Sequence, residues 1–73
     1  MNISHLNTLI VIVEQGSFSQ AALHLGISQS AVSRAIAALE AELGVSLLAR
    51  GRFGAYLTHV GERMMPHAQS ILK

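Results

Sequence analysis

In this 73-residue chain, the side chains best suited to chemistry are Arg34, Arg50 and Arg52, because no acid lies near them in sequence. The carboxylates are Glu14, Glu40, Glu42 and Glu62, which leaves residues 15–39 and 43–61 free of acids. A formal net charge of +1 is small for a partner of a polyanion, but the distribution of charge matters more than its sum. A phosphate backbone approaching these stretches would meet guanidinium groups, serine hydroxyls and helix N-termini, all of which bind phosphate oxygens. Three arginines in a small domain are also compatible with ordinary solvated surface, so the elements that carry them must decide.

Those elements are two short helices joined by a tight corner, spanning residues 17–44. Ser17 and Gln20 have the spacing at which each side chain can bond the other's backbone N–H at a helix start. Phe18, Ala21, Ala22 and Leu25 follow at helical spacing, and Gly26 can take the left-handed conformation that ends a helix. Ile27 is expected to plug the angle between the helices, and Ser28 to cap the second helix. In that helix Val32, Ile36, Leu39 and Leu43 form one apolar stripe, closed by Gly44. Arg34 points away from the stripe, flanked by Ser30 and Ser33, and Ala37, Ala38 and Ala41 continue the outer face. A surface polar at its N-terminal end and flat afterwards suits a helix that sinks into a DNA major groove about 12 Å wide. This is the pattern of a helix-turn-helix DNA reader.

An amphipathic helix from Ser4 or His5 to Gln15, with Leu6, Leu9, Ile10 and Val13 inward, is predicted ahead of this unit, stopped by Gly16. Behind it, Leu47 and Leu48 lead through Arg50-Gly51-Arg52-Phe53-Gly54 to Ala55-Tyr56-Leu57-Thr58, which reads as a β-hairpin wing. Thr58 can cap a last helix starting near His59. That helix carries Val60, Met64, Ala68 and Ile71 on one stripe and Met65 with Leu72 on an adjoining one. So wide an apolar arc exceeds what a small domain can cover. Pro66 lies past its first turn and is expected to kink it. No stop signal precedes Lys73, so the helix reads as cut.

Composition excludes much else. The length fits one domain with a single modest core, and about half of the residues are apolar (51%). With no cysteine there is neither a disulfide framework nor a thiolate metal site, compatible with a cytoplasmic location. No apolar run approaches the roughly 18 residues needed to span a bilayer. Leu9 to Val13 lacks a basic leader, so no signal peptide is read. An enzyme finds little support. His5, His24, His59 and His67 show no paired ligand spacing, no Gly-x-Ser-x-Gly elbow occurs, Asp is absent, and Gly51-Arg52-Phe53-Gly54 lacks the ending of a phosphate loop.

The chain resembles the N-terminal winged helix-turn-helix domain of the LysR-type bacterial transcription regulators. The residues that carry the resemblance are Gly16-Ser17-Phe18-Ser19, Ala21-Ala22, Leu25, Ile27-Ser28-Gln29, Val32-Ser33-Arg34, Ile36, Leu39-Glu40 and Leu43-Gly44-Val45. Leu47, Arg50, Leu57-Thr58 and Gly61-Glu62 extend it through the wing into the last helix. The implied fold is mainly α: a three-helix core with a small β-hairpin wing, followed by the start of a long linker and dimerisation helix. Residues 1–58 would form the DNA-binding domain and 59–73 the N-terminal part of the linker helix. The recognition helix, about 28–43, would enter the major groove, and the wing, about 46–58, would lie on the flanking backbone or minor groove.

Carried over by position, Gln29, Ser30, Ser33 and Arg34 are base-reading candidates, with Arg34 able to present a bidentate fork to guanine. Arg50 and Arg52 are candidates for backbone or minor-groove contact. Ser19 and Gln20 begin the preceding helix, where the family touches phosphate, although local capping explains them equally. Ser28 joins the candidate DNA contacts at the start of the recognition helix. The family also implies a homodimer, or a tetramer in the full-length protein, bound to an operator with inverted-repeat half-sites. Val60, Met64, Met65, Ala68, Ile71 and Leu72 are the candidate dimer interface. No cofactor is expected, because the small-molecule effector belongs to a separate effector-binding domain. Three positions depart from the family pattern: Ser30 where Pro is frequent, Leu48 where Phe is common, and Arg52 beside Phe53 where the second basic wing residue is expected one place later. Which wing arginine would enter the minor groove therefore stays open.

A protein-docking role for the same fold is the other alternative. A docking surface should carry large apolar or aromatic anchors on the outer face of the second helix, and this face has none.

Overall fold

Capping side chains set the helix limits in the computed structural model, which describes residues 2–52 and 54–72. Helix α1 spans Ile3–Gln15, α2 Phe18–Leu25 and α3 Gln29–Leu43; strands β1 and β2 span Leu48–Gly51 and Gly54–Leu57, and α4 spans His59–Leu72. The Asn2 side chain accepts from the Ser4 N–H at 2.8 Å, which starts α1 earlier than the sequence reading placed it. Ser17, Ser28 and Thr58 cap the other helices, accepting from the N–H groups of Gln20, Ala31 and Gly61 at 3.1, 3.0 and 3.0 Å. Only the Ser17 half of the expected reciprocal pair with Gln20 is formed among the described residues.

The corner between α2 and α3 is closed by backbone rather than by a side-chain plug. Gly26 sits at φ 70°, and the Ile27 N–H returns to the Ala22 carbonyl at 3.1 Å. These bonds satisfy the end of α2 by themselves. Ile27 is 43% exposed, contrary to its expected role in filling the angle.

Helix α1 packs against α2, α3, α4 and β2, so it buries most of its circumference. This corrects the predicted stripe: Leu6 and Leu9 are buried as expected, but Val11 and Ile12 join them while Val13 is exposed. An amphipathic count assumes one covered face, whereas α1 has neighbours on several. Its buried Thr8 is satisfied locally, its hydroxyl donating to the Ser4 carbonyl at 2.9 Å. Phe18, Ala21 and Ala22 of α2, Val32, Ile36 and Leu39 of α3, and Leu47 and Leu48 pack with α1 in the core, which residues of α4 complete.

The strands pair antiparallel, from Leu48 opposite Leu57 to Gly51 opposite Gly54. The hairpin is docked, because the Ala55 N–H donates to the Gly16 carbonyl at 3.2 Å. A Cβ at Gly54 would collide with that same carbonyl oxygen, and Gly54 has a φ of 124°, so the close approach requires glycine.

Helix α4 turns a different face inward from the one its apolar stripe indicated. Gly61, Met65 and Ala68 are buried and Leu72 is half-buried, while Val60 and Ile71 are 38% and 54% exposed. The reason is Gly61, which carries no side chain and so goes unseen in a hydrophobic pattern. A Cβ there would run into the Leu47 carbonyl, so the helix rests directly on backbone. Met65 and Ala68, expected at a dimer interface, instead belong to this domain's own core. The helix passes through Pro66 without interruption and continues to Leu72. The N–H lost there would have bonded to the Glu62 carbonyl, on a side where both residues are exposed and water can replace it.

Candidate nucleic-acid interface

The apolar stripe of α3 is committed to the core, with Val32 and Leu39 fully buried, and this fixes what the helix shows to solvent. Ser28, Gln29, Ser30 and Arg34 are exposed, and Ser33 is half-buried at the edge of the same face. Ala37, Ala38 and Ala41 continue the exposed face with side chains too short to obstruct a groove. The Ser28 oxygen is already engaged as the cap of α3, so as a DNA contact it would have to offer its remaining hydroxyl capacity.

The wing packs on α1 and α4 and is tied to α3 by two side chains of that helix. Near the start, the Arg50 guanidinium donates to the Ser33 hydroxyl oxygen at 3.0 Å. Near the end, one carboxylate oxygen of Glu40 accepts the backbone N–H groups of Leu47 at 2.6 Å and Leu48 at 3.2 Å. Ser33 and Glu40 are seven positions apart, which is close to two helical turns, so both project from the same side. The same Glu40 oxygen also accepts the Ser46 hydroxyl at 3.4 Å, a long contact. An acid on the recognition helix is thereby turned towards wing backbone, away from the Arg34 face.

Arg50 makes a further contact: its guanidinium carbon lies 3.9 Å from the centre of the Phe18 ring. Stacking on an aromatic face suits a delocalised planar cation. The wing, α2 and α3 thus meet at a single side chain. Around it is a recess of about 160 Å³ lined by Ser17, Phe18, Ser19, Gln29, Arg50, Gly51, Gly54 and Ala55. The starts of both α2 and α3 border it, so their positive dipole ends add to the arginine charge. Ser19 and Gln20 are exposed at the start of α2, Ser19 on the rim of the recess. Arg52 is exposed in the hairpin turn, beyond the paired strands. The question its neighbour Phe53 raised about the wing's second basic position falls outside the described residues.

Of the nine DNA-contact candidates, the fold therefore gathers Ser28, Gln29, Ser30, Ser33, Arg34 and Arg50 around the start of α3, with Ser19 and Gln20 adjoining and Arg52 at the wing tip. Sequence reasoning missed the Phe18–Arg50 stack, the Arg50–Ser33 bond and the Glu40 clip. Their partners come from different elements, and no local periodicity signals them. Among the described residues, no group of three or more His or Glu side chains is placed to share a metal ion, and no helix is long and apolar enough to cross a membrane.

A family model described as bacterial regulatory helix-turn-helix protein, lysR family, matches residues 3–62. The chain is 64% identical over its full length to the probable HTH-type transcriptional regulator LrrA of Synechococcus elongatus, covering 25% of that protein. It superimposes on the DNA-binding domain of CbnR in its crystal structure with DNA at a TM-score of 0.93, with 39% identity over 99% of this chain and 83% of the other. For the complex of the BenM DNA-binding domain with its benA site 1 DNA the TM-score is 0.92, again with 39% identity, over 99% of this chain and 84% of that one. The chain spans about a quarter of the length of the first curated relatives it matches, which are described as a probable transcriptional regulator and probable gene activators.

Proposed function

Since the chain belongs to the LysR family of bacterial regulatory helix-turn-helix proteins, we propose that it binds double-stranded DNA in a sequence-specific manner as the DNA-binding domain of a transcription regulator. The observation that carries this reading is the outer face of α3. It is polar where Gln29, Ser30 and Arg34 are exposed and nearly flat beyond, with the basic wing tied to the helix. A major groove admits such a helix, and its base edges offer the acceptors that Arg34 can bind with both arms of its fork. Gln29, Ser30 and Ser33 would read bases beside it. Ser19, Gln20 and the capping Ser28 would contact phosphate, and Arg50 and Arg52 would lie against the flanking backbone or minor groove.

In this reading residues 1–58 form the DNA-binding unit and 59–73 begin a linker helix that pairs with that of a second copy. The surface for such pairing is the outer side of α4, where Val60 and Ile71 are exposed and a recess of about 320 Å³ is lined by His59, Val60, Arg63, Met64 and His67. Two copies so joined would present their recognition helices to the half-sites of an inverted repeat. The domain works in the cytoplasm without a cofactor and catalyses no reaction.

Retention on immobilised duplex DNA over a series of salt concentrations tests the reading. A DNA reader loses affinity steeply and linearly on logarithmic axes as phosphate counterions are released. Retention that is absent at low salt, or flat with salt, would contradict it and favour a docking module.

A further inference from the structure

We propose that Arg50 is a positioning residue that fixes the Ser33 hydroxyl as an outward hydrogen-bond donor, so that α3 selects an acceptor group on the base facing Ser33. The inference rests on the DNA-reading function above and adds which base chemistry one position would choose. A guanidinium has donors only, so in the 3.0 Å bond Ser33 must accept. A serine hydroxyl holds one proton and two lone pairs; with one lone pair engaged, the proton and the second lone pair remain, and the cation beside them disfavours a further donor at that lone pair.

Within a helix that proton commonly goes to the carbonyl four residues back, as Thr8 donates to Ser4 at 2.9 Å. Ser33 forms no such bond to Gln29 among the described residues. The positive charge of Arg50 repels the hydroxyl hydrogen and turns it away from the wing, towards the open side of α3. Arg50 itself has little freedom. The Phe18 ring lies under its guanidinium at 3.9 Å, Glu40 anchors the start of its strand, and Ala55 opposite it is bonded to the Gly16 carbonyl. The donor at Ser33 is thus set before any ligand arrives, and pre-setting lowers the ordering cost of binding.

In the major groove guanine offers O6 and N7, thymine offers O4 and adenine offers N7 beside its N6 amino group, whereas cytosine offers only the N4 amino donor. A hydroxyl donor finds an acceptor on guanine and thymine, and through N7 on adenine, while the fixed cation beside it repels the cytosine amino group, whose approach is therefore the least favoured.

The test is selection from a pool of random-sequence duplexes at one low salt concentration, using the 73-residue chain, Ser33→Ala, Arg50→Gln and the double variant. Circular dichroism checks that each is folded; Ser33→Ala removes the hydroxyl while leaving the wing charge in place. The wild type is expected to enrich G or T over C at one position by about two- to tenfold, the range of a single net hydrogen bond. Both single variants lose this preference at that same position while other positions keep theirs, and the double variant loses no more. Uniformly weaker binding by Arg50→Gln, with the preference at the Ser33 position intact, overturns the proposal, because that is all that a phosphate contact or a structural role would produce. Loss of no preference in Ser33→Ala also overturns it. A wild-type chain that enriches no sequence at all instead removes the DNA-reading function on which the inference depends.

Discussion

The carboxylate of Glu40 and the backbone N–H of Leu47 meet at 2.6 Å, fastening the end of the recognition helix to the first residue of the wing segment that enters the core. Leu47 is fully buried, and the same oxygen also takes the Leu48 N–H. Glu40→Ala leaves these donors without an acceptor and is expected to cost about 1–3 kcal/mol of stability. Glu40→Gln keeps an acceptor oxygen at the same reach and recovers most of that loss. Thermal unfolding of the two variants measures the difference; equal loss in both would show that the charge matters rather than the acceptor.

Gly61→Ala is expected to destabilise the domain although alanine is the better helix former. The added Cβ meets the Leu47 carbonyl oxygen and lies 3.0 Å from a Leu57 methyl. That carbonyl cannot withdraw freely, because it accepts the Thr58 N–H at 2.9 Å. An overpacking cost of about 1–3 kcal/mol opposes a propensity gain of at most about 1 kcal/mol. A lowered denaturation midpoint with an unchanged slope is the expected reading.

Met65 and Ile71 should respond oppositely to a charge. Met65 is 8% exposed, so Met65→Glu buries a carboxylate in the core and is expected to unfold the domain. Ile71 is 54% exposed, so Ile71→Glu leaves folding intact and weakens self-association, the role proposed for the outer side of α4. Circular dichroism with sedimentation velocity separates the two outcomes. A folded Met65→Glu variant would contradict the packing of α4.

Arg34→Ala is expected to abolish sequence preference with no change in fold, since the side chain is exposed on the face opposite the core stripe. Loss of a bidentate contact to guanine costs roughly 1–3 kcal/mol of discrimination. Competition between selected and scrambled duplexes measures it. Equal discrimination by variant and wild type would remove Arg34 from the reading surface.

What could be read in the sequence was local. Ser17, Ser28 and Thr58 as caps, Gly26 and Gly44 as stops, the stripe of α3 and the hairpin are each decided within a few residues. The face of α4 was misread because Gly61 supplies packing by having no side chain. The burial of Val11 and Ile12 escaped because α1 is surrounded. The exposure of Arg34 opposite the stripe follows from periodicity alone, whereas the engagement of Ser33 by Arg50 spans seventeen positions and depends on how the wing folds back. The candidate residues of α3 are thus visible one element at a time, whereas their arrangement with the wing depends on the tertiary clips.

The most direct test of the reading surface is the backbone amide spectrum of the isotope-labelled chain, titrated with a duplex selected from the random pool. The expected result is that shifts concentrate on residues 28–34 and on Arg50 and Arg52, with smaller changes at Ser19 and Gln20. Binding that perturbs α4 or the far side of α1 while leaving residues 28–34 unmoved would contradict a recognition role for α3.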